Sequence, residues 1–243
     1  MNIHFRITNQ CNLHCKECWG PDKKVITHMK PDIVIKALEY LAPIENNDKI
    51  NITGGEPTLN PYFADILEIM LQESAFKTIS TNLYDCGAQH IEQMLKMDRI
   101  QLPLDGSDDL KFRNFRCNTN NYLSKITHFV NFLKKNRYEG ITKFGSVIVN
   151  SDFSDIRNIC KLIKSFCMEK VEWRIYPLFK KDEQFVSIKM NSTLKLVKNE
   201  CEENGINFSF FTPSNRSDKY IFINPNGSLS TIKNNSEITI GRL

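Results

Sequence analysis

The sequence has 243 residues, of which 41% are hydrophobic and 25% are charged. This composition is ordinary for a folded protein and excludes a disordered, collagenous or fibrous chain. The net charge of +4 suits a small anionic ligand as well as a nucleic acid, so it gives no strong signal for nucleic-acid binding. No run of 18 apolar residues occurs and the first residues carry no secretory signal, which predicts a cytoplasmic protein without a membrane span.

Short β-rich runs alternate with amphipathic helical runs along the first 180 residues. Strands are predicted over 2–8, 48–53, 77–81, 98–104, 141–149 and 170–176, and helices over 31–42, 61–74, 88–96, 120–136 and 154–168. Such alternation is typical of βαβ units and a parallel sheet. The chain is short for a closed barrel of eight units. We therefore expect an α/β fold, a partial (β/α)6 TIM-like barrel.

The pattern becomes irregular after Tyr176. A helix over 192–204 precedes the strand-like run NFSFF, and a hairpin is predicted around Pro225-Asn226-Gly227. No linker rich in Gly, Ser or Pro separates these elements from the rest. We expect residues 1–180 to form the core and residues 181–243 to form a small C-terminal extension that caps it.

Three of the eight cysteines lie close together directly after the first predicted strand. Cys11, Cys15 and Cys18 have the spacing C-x3-C-x2-C, while the other five are scattered and most of them are expected to be small buried residues. Thiolates suit zinc or an iron–sulfur cluster. Structural zinc usually takes four ligands in two separated pairs, so a zinc site would need His14 or a distant cysteine. Three cysteines on a [4Fe-4S] cluster would leave one iron open for chemistry.

A second motif, Thr53-Gly54-Gly55-Glu56-Pro57, ends the second predicted strand. Together with C-x3-C-x2-C, it resembles the radical S-adenosylmethionine (SAM) superfamily. The resemblance implies a [4Fe-4S] cluster that reductively cleaves SAM to a 5′-deoxyadenosyl radical, which then abstracts hydrogen from the substrate. It also implies an electron donor such as flavodoxin or ferredoxin. In the family, the glycine turn holds the SAM amino group, with Glu56 supplying or orienting acceptors.

Further SAM contacts lie at strand ends in this superfamily. By position, the corresponding candidates are Ser80 and Asn82 after the third strand, Ser146 on the fifth, and the backbone near Leu178 after the sixth. Asn82 suits a turn equally well. The family usually has an aromatic or apolar residue where this chain has Glu17, and Trp19 is a candidate to replace its packing.

The sequence is also similar, mainly in its second half, to viperin, a radical SAM enzyme that dehydrates a nucleoside triphosphate. The resemblance rests on Lys49 and Asn51, on Arg174, and on SNRSDKY, which ends at Tyr220. It implies that Lys49, Asn51 and Arg174 bind the substrate and that Tyr220 donates a hydrogen late in the reaction. Two positions depart from the viperin pattern, since Glu172 replaces a basic residue and His4 replaces an asparagine.

The run DGSDDLKFRNFR follows the fourth predicted strand and carries Asp105, Arg113 and Arg116. Many relatives have an acidic residue and a closing arginine here, which implies that Arg116 binds the SAM carboxylate or a substrate anion. A solvated surface run is the alternative.

Three functions remain open from the sequence. The first is a viperin-like enzyme acting on a nucleotide or another small anionic metabolite. The second is a peptide- or protein-modifying enzyme, including a glycyl-radical activase. The third is a metal-binding module without catalysis. Lys49, Arg174 and SNRSDKY favour the first, and the paired motifs disfavour the third.

Overall fold

The computed structural model describes residues 1–16, 18, 20, 25–117, 119–149, 154–178, 187–211, 220–233 and 236–243. The predictions for Glu17, Trp19 and the first six residues of SNRSDKY lie outside these residues.

Helices and strands alternate along most of the chain. The strands are β1 (Asn2–Thr8), β2 (His14–Cys15), β3 (Lys49–Gly54), β4 (Phe76–Ser80), β5 (Arg99–Pro103), β6 (Arg116–Cys117), β7 (Ile141–Val149), β8 (Val171–Leu178), β9 (Ile206–Phe210), β10 (Tyr220–Ile223), β11 (Ser228–Lys233) and β12 (Ser236–Arg242). The helices are α1 (Pro31–Leu41), α2 (Phe63–Leu71), α3 (Ala88–Met94), α4 (Asp109–Phe115), α5 (Tyr122–Lys135), α6 (Ile156–Ser165) and α7 (Ser187–Glu202), and a short 3₁₀ helix covers Pro57–Leu59. In the described part of the chain, no helix is long and apolar enough to cross a membrane.

The chain forms two compact units. The first unit contains Met1–Asn12, Glu17–Ile100 and Pro213–Leu243, and the second contains Leu13–Lys16 and Gln101–Thr212. In the first unit the strand order is β12-β11-β10-β1-β3-β4, with β1 parallel to both β3 and β10. In the second unit β7, β8 and β9 are parallel neighbours, and β5 lies on the other side of β7.

Strand alternation places apolar residues on one face of each sheet. In β1 the side chains of Ile3, Phe5 and Ile7 are fully buried, while His4 points to the opposite face. One side of α1 is also apolar and buried, and it carries Val34, Ala37 and Leu38. The opposite faces therefore carry the polar side chains from which a site can be built.

Five of the described elements were not predicted from the sequence: β2, α4, β6, β12 and the 3₁₀ helix Pro57–Leu59. The strands β2 and β6 have two residues each, too few to show a period. Helix α4 has seven residues, and its N-cap Asp108 accepts a hydrogen bond from Lys111 N at 2.9 Å. Strand β12 is exposed along most of its length, so it shows no apolar alternation.

The segments after residue 180 add strands to both units. Strand β9 pairs with β8 in the second unit, and β10 pairs with β1 in the first. The division at residue 180 into a core and a cap remains a prediction, since the two compact units interleave these segments.

Candidate functional site

The cysteine motif follows β1 after two residues. All eight cysteines are free, and Cys11 and Cys15 are half-buried whereas Cys18 is exposed. Each sulfur of the motif accepts a hydrogen bond, and the donors are Asn82 Nδ2 to Cys11 at 3.6 Å, Arg116 Nη1 to Cys15 at 3.3 Å, and Gly20 N to Cys18 at 3.3 Å. Donors aimed at sulfur stabilise the thiolate, which is the ligand form of cysteine.

A short antiparallel ribbon holds the middle of the motif in the second unit. Strand β2 pairs with β6, so that His14 is opposite Cys117 and Cys15 is opposite Arg116. Next to this pair, Lys16 N donates to a main-chain carbonyl of α4 at 2.9 Å. This register explains why Arg116 reaches Cys15, a contact that the sequence did not indicate.

The glycine turn lies against the residues that precede Cys11. Gly55 N donates to Thr8 O at 2.7 Å, and Glu56 N donates to Gln10 O at 2.8 Å. A Cβ on Gly55 would lie 2.1 Å from Gln10 O, and a Cβ on Gly54 would lie 2.3 Å from Thr8 O. Gly54 also has a φ of +153°, which disfavours other residues. Both glycines are therefore required by backbone packing within the chain.

Glu56 connects the ends of β3 and β4. Its carboxylate is buried and accepts from Thr58 Oγ1 at 2.9 Å, Thr81 Oγ1 at 2.7 Å and Asn82 N at 2.6 Å, with Thr58 N at 3.3 Å. Burial raises the pKa of Glu56, although these hydrogen bonds act in the opposite direction. Of the two roles predicted for Glu56, these contacts favour orienting neighbouring groups.

Asn82 forms the turn that was its alternative role. Its Oδ1 accepts from Tyr84 N at 2.7 Å, and Leu83 between them has a left-handed φ of +57°. The side-chain amide donates to Asn12 Oδ1 at 2.9 Å as well as to Cys11. Asn12 was not singled out from the sequence because it occupies one of the variable positions of the C-x3-C-x2-C motif.

The polar face of the first unit joins β1, β3 and β4. Asn51 Nδ2 and His4 Nδ1 are 3.0 Å apart, and Ser80 Oγ donates to Asn51 Oδ1 at 3.2 Å. The ring of Tyr220 meets the His4 ring edge-on, with centroids 5.3 Å apart. The structure thus brings four predicted or discussed residues together on one face.

Lys49 is not brought to the glycine turn. It is exposed and is the first residue of β3, five residues before Gly54. At a rise of about 3.3 Å per residue, roughly 16 Å separates the two ends of the strand. Its assignment as a substrate ligand remains a prediction.

In the second unit, Arg116 is paired with a carboxylate. Its Nε donates to Asp105 Oδ2, and the Asp105 side chain has no exposed surface. Asp105 Oδ1 also accepts from Val147 N at 2.7 Å. Burial lowers the pKa of Arg116, but Asp105, Tyr122 and Cys15 together outweigh this effect and raise the pKa above its ordinary value. The positive charge of Arg116, which would attract a ligand anion, is therefore compensated by the Asp105 carboxylate. Arg113, by contrast, is exposed.

Ser146 lies on the opposite face of β7 from Gly145, which is the register partner of Arg174. The Ser146 hydroxyl is buried, donates to Leu104 O and accepts from Trp173 Nε1 at 2.9 Å. The structure therefore does not bring Ser146 and Arg174 to one face, and its role as a SAM contact remains a prediction. Leu178 is the last described residue of β8, and its role as a SAM contact remains a prediction.

Arg174 is half-buried on β8 and points to the same face as Tyr176. Its Nε donates to Ser209 Oγ on β9 at 2.9 Å. Among the described residues, no carboxylate is paired with its guanidinium. By strand alternation Glu172 lies on the same face as Arg174, and its side chain has an interaction of its own.

Of the other five cysteines, Cys117 lies next to the motif, since it is opposite His14 in the β2–β6 pair. Burial, together with the charge of Glu56, raises the pKa of Cys86 to about 12, which keeps it a neutral thiol. Cys160 on α6 and Cys201 on α7 are buried, with sulfurs 3.7 Å apart. These two are buried as the sequence predicted, whereas Cys86 and Cys117 are half-buried and Cys167 is exposed, so the prediction that most of the five are buried is wrong.

The sequence matches the model of the radical SAM superfamily over residues 5–163, which is more than half of the chain. The chain belongs to this superfamily, whose enzymes use a [4Fe-4S] cluster and SAM.

Its curated relatives act on different substrates, by their names. A putative glycyl-radical enzyme activating enzyme of Methanocaldococcus jannaschii is 26% identical over 66% of this chain and 62% of its own length. GTP 3′,8-cyclase of Haemophilus ducreyi is 28% identical over 46% of this chain and 34% of its own. The matches therefore span less than two thirds of the relatives' length.

The fold is shared with solved radical SAM enzymes. SuiB of Streptococcus suis bound to S-adenosylmethionine superposes with a TM-score of 0.76, at 13% identity over 99% of this chain and 62% of that one. SuiB has also been solved with its precursor peptide. This likeness confirms the α/β class and the partial barrel predicted from the sequence, and shows nothing about the substrate.

The described residues fit the cluster. Three free thiols with a donor on each sulfur are a suitable set, since a cubane takes one thiolate per iron. Among the described residues, no three His, Cys, Asp or Glu side chains converge on a single ion. A cubane does not need such convergence, because each thiolate binds a different iron. Cys11, Cys15 and Cys18 would hold the cluster.

Proposed function

We propose that this protein is a radical SAM enzyme that abstracts hydrogen from a small anionic substrate, with a nucleoside triphosphate as the first candidate. The cluster and SAM, when bound, supply the hydrogen-abstracting radical. A one-electron donor of the flavodoxin or ferredoxin kind supplies the electron. The chain's own residues hold the cofactors and the substrate.

The proposal rests on the hydrogen-bond and charge partners of the Arg174 guanidinium. A guanidinium that is half-buried and has no carboxylate partner among the described residues is costly unless an anion pairs with it. Ser209 accepts from Nε, which leaves the terminal nitrogens for two parallel bonds to a phosphate or carboxylate. Tyr176 lies on the same face and would flank such a ligand.

The first unit, taken by itself, carries uncharged polar groups. His4, Asn51 and Ser80 form a chain of donors and acceptors, which suits the hydroxyl and base groups of a nucleoside better than its phosphates. Tyr220 beside His4 is retained as the proposed hydrogen donor.

The test uses reconstituted protein, SAM and dithionite under anaerobic conditions, with nucleoside triphosphates and other anionic metabolites as substrates. Substrate-dependent 5′-deoxyadenosine is measured by mass spectrometry. Arg174→Ala should raise KM for the active substrate by about tenfold to a hundredfold, because charged hydrogen bonds contribute about 1.5–3 kcal/mol. Arg157→Ala is the matched control, since Arg157 is exposed and paired with Glu200 at 3.0 Å. An unchanged KM in Arg174→Ala would refute the anion site.

A second candidate function is the modification of a peptide or protein, including activation of a glycyl-radical enzyme. It is favoured by the relative from Methanocaldococcus jannaschii, which is matched over the larger share of this chain. In that case no small anion would stimulate 5′-deoxyadenosine formation, and Arg174→Ala would have little effect.

A further inference from the structure

The side-chain amide of Asn82 lies between the first cysteine of the motif and the turn after β4. Its Nδ2 is 3.6 Å from Cys11 Sγ and 2.9 Å from Asn12 Oδ1, and its Oδ1 is 2.7 Å from Tyr84 N. Because a main-chain N–H can only donate, Oδ1 must face Tyr84. The two amide hydrogens therefore face Asn12 and the sulfur of Cys11.

The backbone of Asn82 is also held by hydrogen bonding. Its N–H donates to the buried Glu56 carboxylate at 2.6 Å, and the next residue, Leu83, is held in the left-handed region. Only 8% of Asn82 is exposed. The amide is thus held in place before any cofactor binds.

We propose that Asn82 is a positioning residue for the iron–sulfur cluster, which holds the Cys11 thiolate and raises the reduction potential of the cluster. A hydrogen bond to a ligand sulfur stabilises the more negative, reduced state more than the oxidised state. This inference uses the superfamily membership of the chain and is independent of the substrate proposed above.

The redox step involves one electron. It passes from an external one-electron reductant to the cluster, whose total charge becomes one unit more negative. No bond in the protein forms or breaks, and Asn82 keeps both amide hydrogens. The hydrogen bond to Cys11 strengthens because the sulfur becomes more negative.

This role of Asn82 differs from the role predicted for it from the sequence. Asn82 was a candidate SAM contact, but Asn12 and Cys11 already use both of its donors and Tyr84 uses its acceptor. The two roles differ in what a substitution would alter. A SAM contact affects SAM affinity, whereas a cluster contact affects the reduction potential.

The test variant is Asn82→Ser. Serine can accept from the N–H two residues later, which preserves the turn, but it is too short to reach Cys11. The matched control is Asn226→Ser, because Asn226 Oδ1 accepts from Ser228 N at 3.0 Å in the same kind of turn. Neither substitution changes a charge. The midpoint potential is measured by redox titration with electron paramagnetic resonance on cluster-loaded protein without substrate.

Asn82→Ser should lower the midpoint potential while iron content and SAM affinity by calorimetry stay at the wild-type level. Losing about one hydrogen bond should reduce the equilibrium constant for reduction by up to about tenfold, which for one electron is about 59 mV. Asn226→Ser should behave as wild type.

An unchanged potential with full iron content would overturn the proposal, and so would a loss of SAM affinity as the sole effect. If serine does not preserve the turn, Asn82→Asp keeps the acceptor for Tyr84 and lacks the donor to Cys11. It should lower the potential further, because it adds a negative charge beside the sulfur. A wild-type potential in Asn82→Asp would also overturn the proposal.

Discussion

Arg116 connects the sulfur of Cys15 to the carboxylate of Asp105. Its Nη1 donates to Cys15 at 3.3 Å and its Nε donates to Asp105, whose side chain is fully buried. The same planar cation therefore compensates a buried anion and donates to the sulfur of a proposed cluster ligand. This pairing accounts for a charged residue in a half-buried position without any external ligand.

Arg116→Met should destabilise the apo protein by about 3–5 kcal/mol, because it leaves Asp105 buried and unpaired. The double variant Asp105→Asn, Arg116→Met should recover much of this loss, since no uncompensated charge remains. Urea unfolding followed by circular dichroism measures both free energies. Equal instability of the single and double variants would contradict the pairing as the cause.

Gly55→Ala should lower the melting temperature and the iron content together. The new Cβ would lie 2.1 Å from Gln10 O, so the chain just before Cys11 would have to move. Gly87→Ala is the matched control, because a Cβ there meets nothing closer than His90 Nδ1 at 3.9 Å. If Gly55→Ala kept full iron content and lost only SAM affinity, the cofactor and not Gln10 would be what requires glycine.

Replacing Cys11, Cys15 and Cys18 by alanine should abolish the iron–sulfur absorbance, because each thiolate holds one iron. Cys201→Ser should leave iron content unchanged and reduce stability, since it places a hydroxyl in the buried contact with Cys160. The iron content is measured in anaerobically purified wild-type protein, in the triple variant and in Cys201→Ser. Full iron loading in the triple variant, or zinc as the only metal of the anaerobically purified wild-type protein, would argue against a cluster.

The stability of the second unit should depend on pH through Asp155. Burial would raise the pKa of Asp155, but hydrogen bonds from Lys111, Ser107 and Asn158 outweigh burial and lower it. A lowered pKa means that its stabilising contribution is complete above the unfolded value of about 3.9 and is lost as pH falls through the folded value.

Asp155→Asn should therefore reduce the free energy of unfolding most at neutral pH, and the difference from wild type should shrink in acid. Unfolding curves at pH 7 and near pH 3 measure this difference. A difference that stays constant across this range would show that the Asp155 charge is not responsible.

Tyr220→Phe tests the proposed hydrogen donor. On the true substrate, 5′-deoxyadenosine should still form while product formation stalls, because only the hydroxyl is removed and the ring contact with His4 is kept. Tyr40→Phe serves as a control, since Tyr40 is 68% exposed on α1. Wild-type yields of both products in Tyr220→Phe would exclude the role.

Much of the fold follows from local sequence. The six principal strands and their helices were predicted because each shows a period of two or of 3.6 residues. The cysteine and glycine motifs were evident because their members are close in the chain. The elements that were missed, such as β2 and β6, are too short or too exposed to carry a period.

The contacts that shape the candidate site depend on tertiary structure. Strand register places Ser146 and Arg174 on opposite faces, and it pairs Cys15 with Arg116. The sequence by itself determined the family, the three thiols and the parallel strands. Only the folded chain decided that Asn82 donates to Cys11 and that Arg116 donates to Cys15. The members of these two pairs are separated by 71 and 101 residues, so they meet only through tertiary structure.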